Sequence, residues 1–373
     1  MEYRNKIMID DKELEKVTVD FCKFDTTNPP GNEKKLALFI KDYLEKYGIE
    51  AWYKEVQRNR ANVYSILTKK EGEEYLLFTG HLDVVPAGSD WETDPFDPVT
   101  EKGKIYARGS SDMKSGLASL LTAYIDLCHD AEFKGNLIFL GTCDEEVGCS
   151  GVKNFLEHLQ LPVAGAIIGE PTSNRLATGE KGALWLKLTF KGKSAHGSQP
   201  ELGKNAIIDL FKTYNKIFEE LSRVPGLTVS LNKISGGAKE NTVPDRAECV
   251  LDIRFKQNIF SKELKKRISK IMSYVKGSGI EVLLQRESFS SSGILTDSAK
   301  TVLNNNGIDP EEIFMNYFTD GAFISQKNIE TIIIGPGKAS LAHVSNEYVE
   351  IDELNLSKKI YEEIARNFFE RNV

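Results

Sequence analysis

The sequence has no long apolar run. No window approaches the roughly 18 consecutive apolar residues that a membrane-spanning helix needs. Residues 1–11 carry charges where a signal peptide has its apolar region. These two absences predict a cytoplasmic protein that has no membrane partner.

The sequence also lacks an excess of basic residues. Its 48 Lys and Arg residues are outnumbered by 55 Asp and Glu residues, which gives a net charge of −7. No basic run or basic helix face stands out, and this argues against nucleic acid as a partner. A small molecule or a peptide is the more suitable substrate for such a surface.

Paired cysteines are missing as well. The five cysteines form an odd set without C-x-x-C spacing, which predicts reduced, buried thiols rather than a disulfide framework. Cys143 is the one thiol that lies beside an acidic cluster. We do not expect it to act as a nucleophile, because neighbouring carboxylates raise a thiol pKa and no histidine lies nearby in the sequence.

Short apolar runs that end in histidine or acidic residues are the most informative feature present. Four such runs precede candidate ligands: residues 75–80 before His81, 136–142 before 143–146, 163–169 before Glu170, and 331–337 shortly before His343. Each run has the length of a buried strand. Open α/β sheets bind ligands at the carboxyl ends of their strands, so we expect these side chains to converge there.

Asp112 precedes an apolar helix and allows two interpretations. It could stabilise the helix start as a carboxylate near free backbone amides. It could also be a metal ligand that the same helix holds in place, and both roles can hold at once.

The pattern of elements predicts an α/β protein with two domains. Helices and strands alternate in the first part, which predicts a mostly parallel sheet covered on both faces. From residue 181 the apolar residues alternate with period two, as in half-exposed antiparallel strands, and helices intervene near 204–222 and 261–275. We therefore predict a catalytic domain of residues 1–178 and 289–373, and an inserted α+β domain of residues 179–288 with an antiparallel sheet and two helices.

Six side chains at strand or helix ends offer two imidazoles and four carboxylates: His81, Asp112, Glu145, Glu146, Glu170 and His343. A catalytic zinc ion needs about three protein ligands, so six groups suit two ions that share a carboxylate and leave one Glu unbound. That Glu would be the general base. Side chains of adjacent residues in an extended segment point in opposite directions, so either Glu145 or Glu146 can face the metal while the other faces water. Asp83, two residues beyond His81, suits a carboxylate that orients an imidazole.

Several motifs together resemble one enzyme family. They are His81-x-Asp83, Gly109-Ser-Ser-Asp112-Met-Lys-x-Gly116, Asp144-Glu145-Glu146-x-Gly148, Gly169-Glu170-Pro171, Ser194-Ala-His196-x-Ser198, Asn241-Thr-Val-Pro244 and Ala342-His343-x-x-Asn-Glu347. The sequence resembles the cocatalytic zinc metallohydrolases that include acetylornithine deacetylase, succinyl-diaminopimelate desuccinylase, aminoacylase and carboxypeptidase G. The resemblance runs nearly from end to end.

The resemblance implies a zinc-peptidase-like catalytic domain that holds two zinc ions, with cobalt or manganese as alternatives. It implies His81 and Glu170 on one ion, Glu146 and His343 on the other, Asp112 between them, and Glu145 as the base. The inserted domain becomes a lid that often dimerises in this family, so the chain is expected to form a homodimer through it.

In the lid, the resemblance implies that His196 reaches the substrate and that Asn241 and Arg254 bind its carboxylate. Strict desuccinylases have an Arg pair after the Glu-Pro-Thr motif. Here the corresponding stretch is Thr178-Gly-Glu-Lys181-Gly182, in which Lys181 is the one candidate cation for the substrate.

The expected activity is hydrolysis of the amide bond of small N-acyl amino acids, with N-succinyl-diaminopimelate and N-acetylornithine as the leading substrates. One alternative with the same chemistry is a metallo-exopeptidase, either a dipeptidase or a carboxypeptidase, because a peptide is also an N-acyl amino acid. A catalytically inactive carboxylate-binding module is an alternative from another class, and metal content would distinguish it from either enzyme.

Overall fold

The computed structural model describes residues 8–371, and the first seven residues of the charged amino-terminal segment lie outside the described residues. The chain divides into two compact units. Unit 1 contains residues 8–179, Ser291–Phe314 and 319–371, and unit 2 contains Glu180–Ser290 and Met315–Phe318. The short segment of unit 2 is tied to the start of that unit, since the amide of Lys181 donates to the carbonyl of Met315. The roles of catalytic domain and lid remain predictions.

The α-helices of residues 8–371 are α1 (Asp11–Cys22), α2 (Lys34–Lys46), α3 (Lys114–His129), α4 (Ser150–His158), α5 (Ala206–Leu221), α6 (Ser261–Ser273), α7 (Ile294–Asn305), α8 (Gly321–Ile324) and α9 (Ile351–Arg371). The strands are β1 (Ala51–Gln57), β2 (Arg60–Leu67), β3 (Tyr75–His81), β4 (Val99–Glu101), β5 (Lys104–Tyr106), β6 (Asn136–Thr142), β7 (Val163–Ile168), β8 (Ala177–Glu180), β9 (Gly182–Lys191), β10 (Leu227–Gly236), β11 (Arg246–Phe255), β12 (Ser278–Arg286), β13 (Phe289–Ser290), β14 (Ile313–Met315), β15 (Glu330–Ile333) and β16 (Tyr348–Glu350).

The central sheet of unit 1 has the order β1-β2-β6-β3-β7-β15-β8. Strands β6, β3, β7 and β15 run parallel to one another. Every residue of β3 and β6 is buried, as expected for strands covered on both faces. Alternate residues such as Leu76 and Phe78 pack in one core with α1, α2, α3, α7 and α9.

The edge of this sheet departs from the parallel arrangement. β1 pairs with β2 and β2 with β6 in antiparallel fashion. Only two residues connect β1 to β2, and such a short connection permits only an antiparallel pair. Asn59 completes this turn with a φ of 63°.

Unit 2 is built on the four-stranded antiparallel sheet β10-β11-β9-β12. Burial alternates residue by residue along β9 and β11, so one face of this sheet is apolar. That face packs on α5 and α6 through residues such as Leu210, Ile217 and Ile268. The period-two pattern in the sequence follows directly from this half-covered sheet.

The predicted fold class is confirmed: a largely parallel central sheet with helices accompanies a separate antiparallel α+β unit. Within residues 8–371, no helix combines the length and apolar character that crossing a bilayer requires.

Candidate metal centre

Neighbouring parallel strands bring His81 and Glu170 together. His81 is the last residue of β3, and Glu170 follows the end of β7 by two residues. In the register of this pair Thr79 lies opposite Ile168, so both chains leave the sheet at the same edge. The His81 Nε2 atom lies 3.7 Å from Glu170 Oε1, and both side chains are buried.

Asp112 lies between the two imidazoles. Its Oδ1 atom is 3.2 Å from His81 Nε2, and its Oδ2 atom is 3.3 Å from His343 Nε2. The cap residue of α3 is Met113, and no side chain caps that helix. The carboxylate of Asp112 therefore points into the cluster instead of stabilising the start of α3.

A second group forms on the other side of Asp112. The His343 Nε2 atom lies 3.1 Å from Glu146 Oε2. The candidate ligand atoms of His81, Asp112 and Glu170 lie within 4.8 Å of one another, and so do those of Asp112, Glu146 and His343. The two groups share Asp112, whose two oxygens face opposite groups.

The donor set fits two divalent cations. Imidazole nitrogens and carboxylate oxygens are the donors that zinc and similar ions bind. Among the described residues, the buried Oε1 atom of Glu146 has no hydrogen-bond partner, which leaves an acceptor available for a cation. The residues that would hold the ions are His81, Asp112 and Glu170 on one side, and Asp112, Glu146 and His343 on the other.

The electrostatics of the cluster reflect crowded carboxylates. Burial raises the pKa of Glu146, and burial together with the charge of Asp112 raises the pKa of Glu170 well above its ordinary value. Burial also opposes ionisation of Asp112, but hydrogen bonds from His343 and His81 outweigh it and hold its pKa below the usual range. Hydrogen bonds to Asp112 and Glu146 raise the pKa of His343 to about 10. Such a cluster favours a bound cation, which neutralises the carboxylates.

Glu145 belongs to neither ligand group among the described residues. Glu145 is 6% exposed, and burial raises the pKa of its carboxyl group well above the ordinary value. His81 opposes this shift, while the negative charges of Glu170 and Glu146 add to it. A raised pKa makes the carboxylate of Glu145 a stronger proton acceptor, which suits a general base.

Asp83 acts on the cluster differently from the sequence-based expectation. His81 Nδ1 lies 2.8 Å from the backbone carbonyl of Asp83, whereas the nearest carboxylate oxygen of Asp83 is 3.6 Å away. The carboxylate instead accepts hydrogen bonds from the amides of Glu145 and Glu146, at 3.1 and 3.2 Å. Donation from Nδ1 to this carbonyl leaves the lone pair on Nε2, the nitrogen that faces Asp112 and Glu170. The side chain of Asp83 thus orients the acidic loop, and its main chain orients the imidazole.

A buried polar network also contacts the loop that carries Glu145 and Glu146. The Asn28 amide donates to Asp83 Oδ2 at 2.8 Å and to Asp144 Oδ1 at 3.1 Å. The Arg60 guanidinium pairs with Glu33 and, at 2.8 Å, with Asp144. Breaking a buried pair of this kind leaves an uncompensated charge, which is strongly destabilising. The network therefore holds the turn that carries Glu145 and Glu146 in one arrangement.

Glycines allow the backbone beside Glu170 to pack closely. A Cβ atom on Gly116, in α3, would lie 1.8 Å from the carbonyl oxygen of Gly169, and one on Gly335 would lie 2.3 Å from it. Both distances are shorter than any real contact, so side chains are excluded at both positions. The position of Glu170 thus depends on close backbone contacts with α3 and with the turn after β15.

Cys143 is buried, and burial raises the pKa of its thiol. This agrees with the expectation that it is not a nucleophile.

The residues predicted for the substrate lie in unit 2. The loop of His196 pairs with the segment of Asn241, since His196 bridges to Thr242 and the Gly197 amide donates to the Asn241 carbonyl at 2.7 Å. His196 Nδ1 lies 2.7 Å from the hydroxyl of Ser198, which orients the ring. Lys181 lies between β8 and β9, in a separate part of unit 2.

Arg254, on β11, already has a carboxylate partner. Asp252 accepts from its Nε and Nη2 atoms at 2.7 and 3.2 Å, and these are two of the guanidinium's five donors. The guanidinium also lies over the rings of Trp185 and Phe318, at 5.8 and 5.5 Å from their centroids. These contacts hold the Arg254 side chain in one orientation.

Two buried acids near the cluster had no role in the sequence analysis. Asp320 is 3% exposed and accepts a hydrogen bond from Thr142 at 2.7 Å, and burial raises its pKa to about 6. Glu347 is fully buried beside the Asp112 loop. The signal for Glu347 was its place in the same short motif as His343, four residues further along the chain.

The fold and this cluster define the class of the protein: a hydrolase of the metallopeptidase type, with candidate metal ligands at the carboxyl edge of an α/β sheet. The model of peptidase family M20/M25/M40 matches residues 77–367. The chain belongs to this family.

Curated relatives and solved structures agree with this assignment. The chain is 31% identical to succinyl-diaminopimelate desuccinylase of Nitrosospira multiformis, over 86% of this chain and 89% of the relative. It is 28% identical to a probable succinyl-diaminopimelate desuccinylase of Staphylococcus aureus, over 92% of this chain and 94% of the relative.

Among solved structures, a tripeptidase of Staphylococcus aureus matches with a TM-score of 0.81 and 21% identity, over 97% of this chain and 99% of that one. A dinuclear metal-binding M20 peptidase of Bacillus subtilis matches with a TM-score of 0.71 and 16% identity, over 95% and 97% of the two chains. These two similarities show the shared fold.

Proposed function

We propose that the protein is a two-metal hydrolase that cleaves the amide bond of N-acyl amino acids and binds zinc. The observation that carries this proposal is the pair of ligand groups that share Asp112, with Glu145 beside them as an unligated buried acid. The five donor side chains of these two groups exceed what a single zinc site uses. The acidic net charge favours a small substrate over nucleic acid.

In this proposal His81 and Glu170 hold one ion, Glu146 and His343 hold the other, and Asp112 binds both. Two bound divalent ions would lower the pKa of an attacking water and polarise the carbonyl of the scissile amide. The protein groups determine where each ion lies and which nitrogen of each histidine faces it. The contact between His81 Nδ1 and the Asp83 carbonyl serves this purpose.

Glu145 moves the proton. Its carboxylate takes a proton from the attacking water as the new C–O bond forms, and it delivers that proton to the amide nitrogen as the C–N bond breaks. The products are a free carboxylic acid and a free amine. We propose that His196 donates a hydrogen bond to the oxyanion that develops on the carbonyl oxygen.

Of the curated relatives, the one from Nitrosospira multiformis is named a desuccinylase and the one from Staphylococcus aureus a probable desuccinylase, and this supports an N-acyl amino acid as the substrate class. The tripeptidase among the matching structures supports the alternative, a metallo-exopeptidase, only at the level of the fold.

We propose that Arg254, Asn241 and Lys181 bind the carboxylates of the substrate. A mass-spectrometric product assay with N-succinyl-diaminopimelate, N-acetylornithine and dipeptides distinguishes the N-acyl amino acid hydrolase from the exopeptidase. Elemental analysis of the purified enzyme measures its metal content. Absence of bound metal with no product from any substrate would refute the proposal.

The free α-carboxylate of the substrate should be required. We expect kcat/KM to fall at least about tenfold, or about 1.4 kcal/mol, when that carboxylate is converted to its amide. Arg254→Lys should reduce the preference for the acid, because Lys lacks the planar fork that binds a carboxylate with two hydrogen bonds. Arg246→Lys, an exposed residue of the same strand, is the matched control. Equal rates on acid and amide with the native enzyme would contradict the carboxylate anchor.

We also propose that unit 2 forms a homodimer. Ile208, Phe211 and Phe218 are 49%, 46% and 43% exposed, and their spacing along α5 places them on one face of that helix. β10, at the edge of the sheet of unit 2, offers unpaired backbone groups as well. Together these features supply an apolar face and a sheet edge for a second copy of the chain.

Phe211→Glu is expected to shift the protein from dimer to monomer, because a charge would be buried in the apolar contact. Sedimentation velocity measures the change. Lys216→Glu, an exposed position on another face of α5, should remain dimeric. A native protein that sediments as a monomer at micromolar concentration would contradict the dimer.

A further inference from the structure

Glu347 makes an unusual set of contacts for a residue outside the ligand groups. It lies directly before β16 and is fully buried. Its Oε1 atom accepts from the amides of Ser111 and Asp112 at 2.7 and 2.9 Å, and its Oε2 atom accepts from the amide of Gly109 at 3.0 Å and from the Arg108 guanidinium. The carboxylate of Glu347 thus accepts hydrogen bonds from three backbone amides of the loop that carries Asp112, those of Gly109, Ser111 and Asp112.

These contacts join two segments that are far apart in the sequence. Glu347 and Asp112 are 235 residues apart. The backbone makes the same connection, since the amide of Ala107 donates to the carbonyl of Glu347 at 3.1 Å. The loop before α3 and the turn before β16 are therefore held at a fixed separation.

The turn held in this way carries His343, four residues before Glu347. The side chain of His343 is 54% exposed, so packing restrains it little, and its backbone has a φ of 64°. The same turn is attached at a second place, where Asn346 accepts from the amide of Glu92 at 2.8 Å. The position of His343 relative to Asp112 thus depends on the polar attachment of this turn.

The other ligand group depends less on this attachment: it shares Asp112, but its other two members do not lie on the turn of His343. His81 and Glu170 are buried and follow adjacent strands of the central sheet, so the sheet itself determines their separation. Only the group formed by Asp112, Glu146 and His343 combines a buried loop with an exposed turn.

We propose that Glu347 is a positioning residue that sets the geometry of the metal site formed by Asp112, Glu146 and His343. This inference rests on the proposed two-metal function. Glu347 acts through the amides of the Asp112 loop, and it brings His343 to the distance at which both residues can bind one ion. Groups that orient metal ligands typically contribute about 10–100-fold to metal affinity.

The test is a titration of the metal-free protein with Zn²⁺ in the presence of a competing chelator, which gives the affinity of each ion. For Glu347→Gln we expect one ion to bind as in the native protein and the other about 10–100-fold more weakly. Glu350→Gln is the matched control, because Glu350 lies three residues further along and pairs with Lys338 at a half-exposed site. It should leave both affinities unchanged.

Two further variants separate positioning from a general effect on stability. Glu347→Asp keeps the negative charge beside Arg108 but is one methylene too short to reach all its donors, so it should also lose the second ion selectively. Glu347→Asp therefore allows the affinity of each ion to be measured even if Glu347→Gln does not fold. In a His343→Ala background, Glu347→Gln should have no additional effect on the second ion, because the residue through which it acts has been removed.

Equal affinities for both ions in Glu347→Gln and the native protein would overturn the proposal. Equal weakening of both ions would overturn it too, since that is the result of a merely structural role. A different result would refute the proposed function. If the native protein bound two Zn²⁺ ions but hydrolysed no N-acyl amino acid or dipeptide, the proposed activity would be wrong and the role of Glu347 would stand.

Discussion

Replacing Glu145 by glutamine is expected to lower kcat by about 10²–10⁴-fold while both metal ions stay bound. The reason is that Glu145 lies beside both ligand groups but belongs to neither among the described residues. The amide of Gln has almost the same shape as the carboxyl group but cannot accept the proton of the attacking water. Single-turnover kinetics with the preferred N-acyl amino acid, together with elemental analysis, measures both quantities.

Glu146→Gln is the matched control for this experiment, because it makes the same chemical change at the adjacent position. Glu146 Oε2 lies 3.1 Å from His343 Nε2, so loss of the Glu146 carboxylate should weaken metal binding. His196→Ala, in unit 2, should retain both ions. If Glu145→Gln lost metal while Glu146→Gln kept it, the proposed roles of base and ligand would have to be exchanged.

Replacing Asp112 by asparagine is expected to weaken both ions and to abolish measurable hydrolysis. Oδ1 of Asp112 faces His81 and Oδ2 faces His343, so the two ions would share this one carboxylate. Asparagine keeps one oxygen and replaces the other by an amide NH₂ group, which cannot bind a cation. The charge that balances two neighbouring cations is lost at the same time. Titration with Zn²⁺ against a chelator measures the affinity of each ion.

Asp130→Asn is the control for this change. Asp130 is a largely buried aspartate that pairs with Arg366 at 2.7 Å, and it is not a member of either ligand group. Its replacement should leave the metal content unchanged, because Asp130 offers no ligand atom to either group. An Asp112→Asn protein that binds one ion with native affinity would show that Asp112 is a ligand of the other ion only.

Local pattern in the sequence was sufficient to predict the elements that carry the site. The continuous apolar runs of β3 and β6 reflect burial on both faces, and the alternation in β9 and β11 reflects burial on one. Both patterns arise from neighbouring residues, so they can be recognised without knowledge of the fold. The same holds for the expectation that residues after parallel strands converge, which the contact between His81 and Glu170 illustrates.

The partners of individual side chains could not be predicted in this way. Asp112 precedes a helix, and its sequence position alone favours a helix-stabilising carboxylate. Only the folded chain brings His343, which is 231 residues further on, to its Oδ2 atom. The carbonyl of Asp83, rather than its carboxylate, faces His81 for a similar reason, since the amides of Glu145 and Glu146 occupy that carboxylate.

The sequence by itself thus determined the fold class, the family resemblance and the set of candidate ligands, because burial period and contiguous motifs are properties of short segments. The tertiary structure alone decided which oxygen of Asp112 faces which imidazole, and that Glu347 holds the Asp112 loop. These contacts depend on how loops close over 60 to 240 residues of chain, as the separations of 62, 235 and 239 residues show. Local patterns carry no information on such pairings, and the hydrogen-bonding needs of buried groups settle them only when the whole chain has folded.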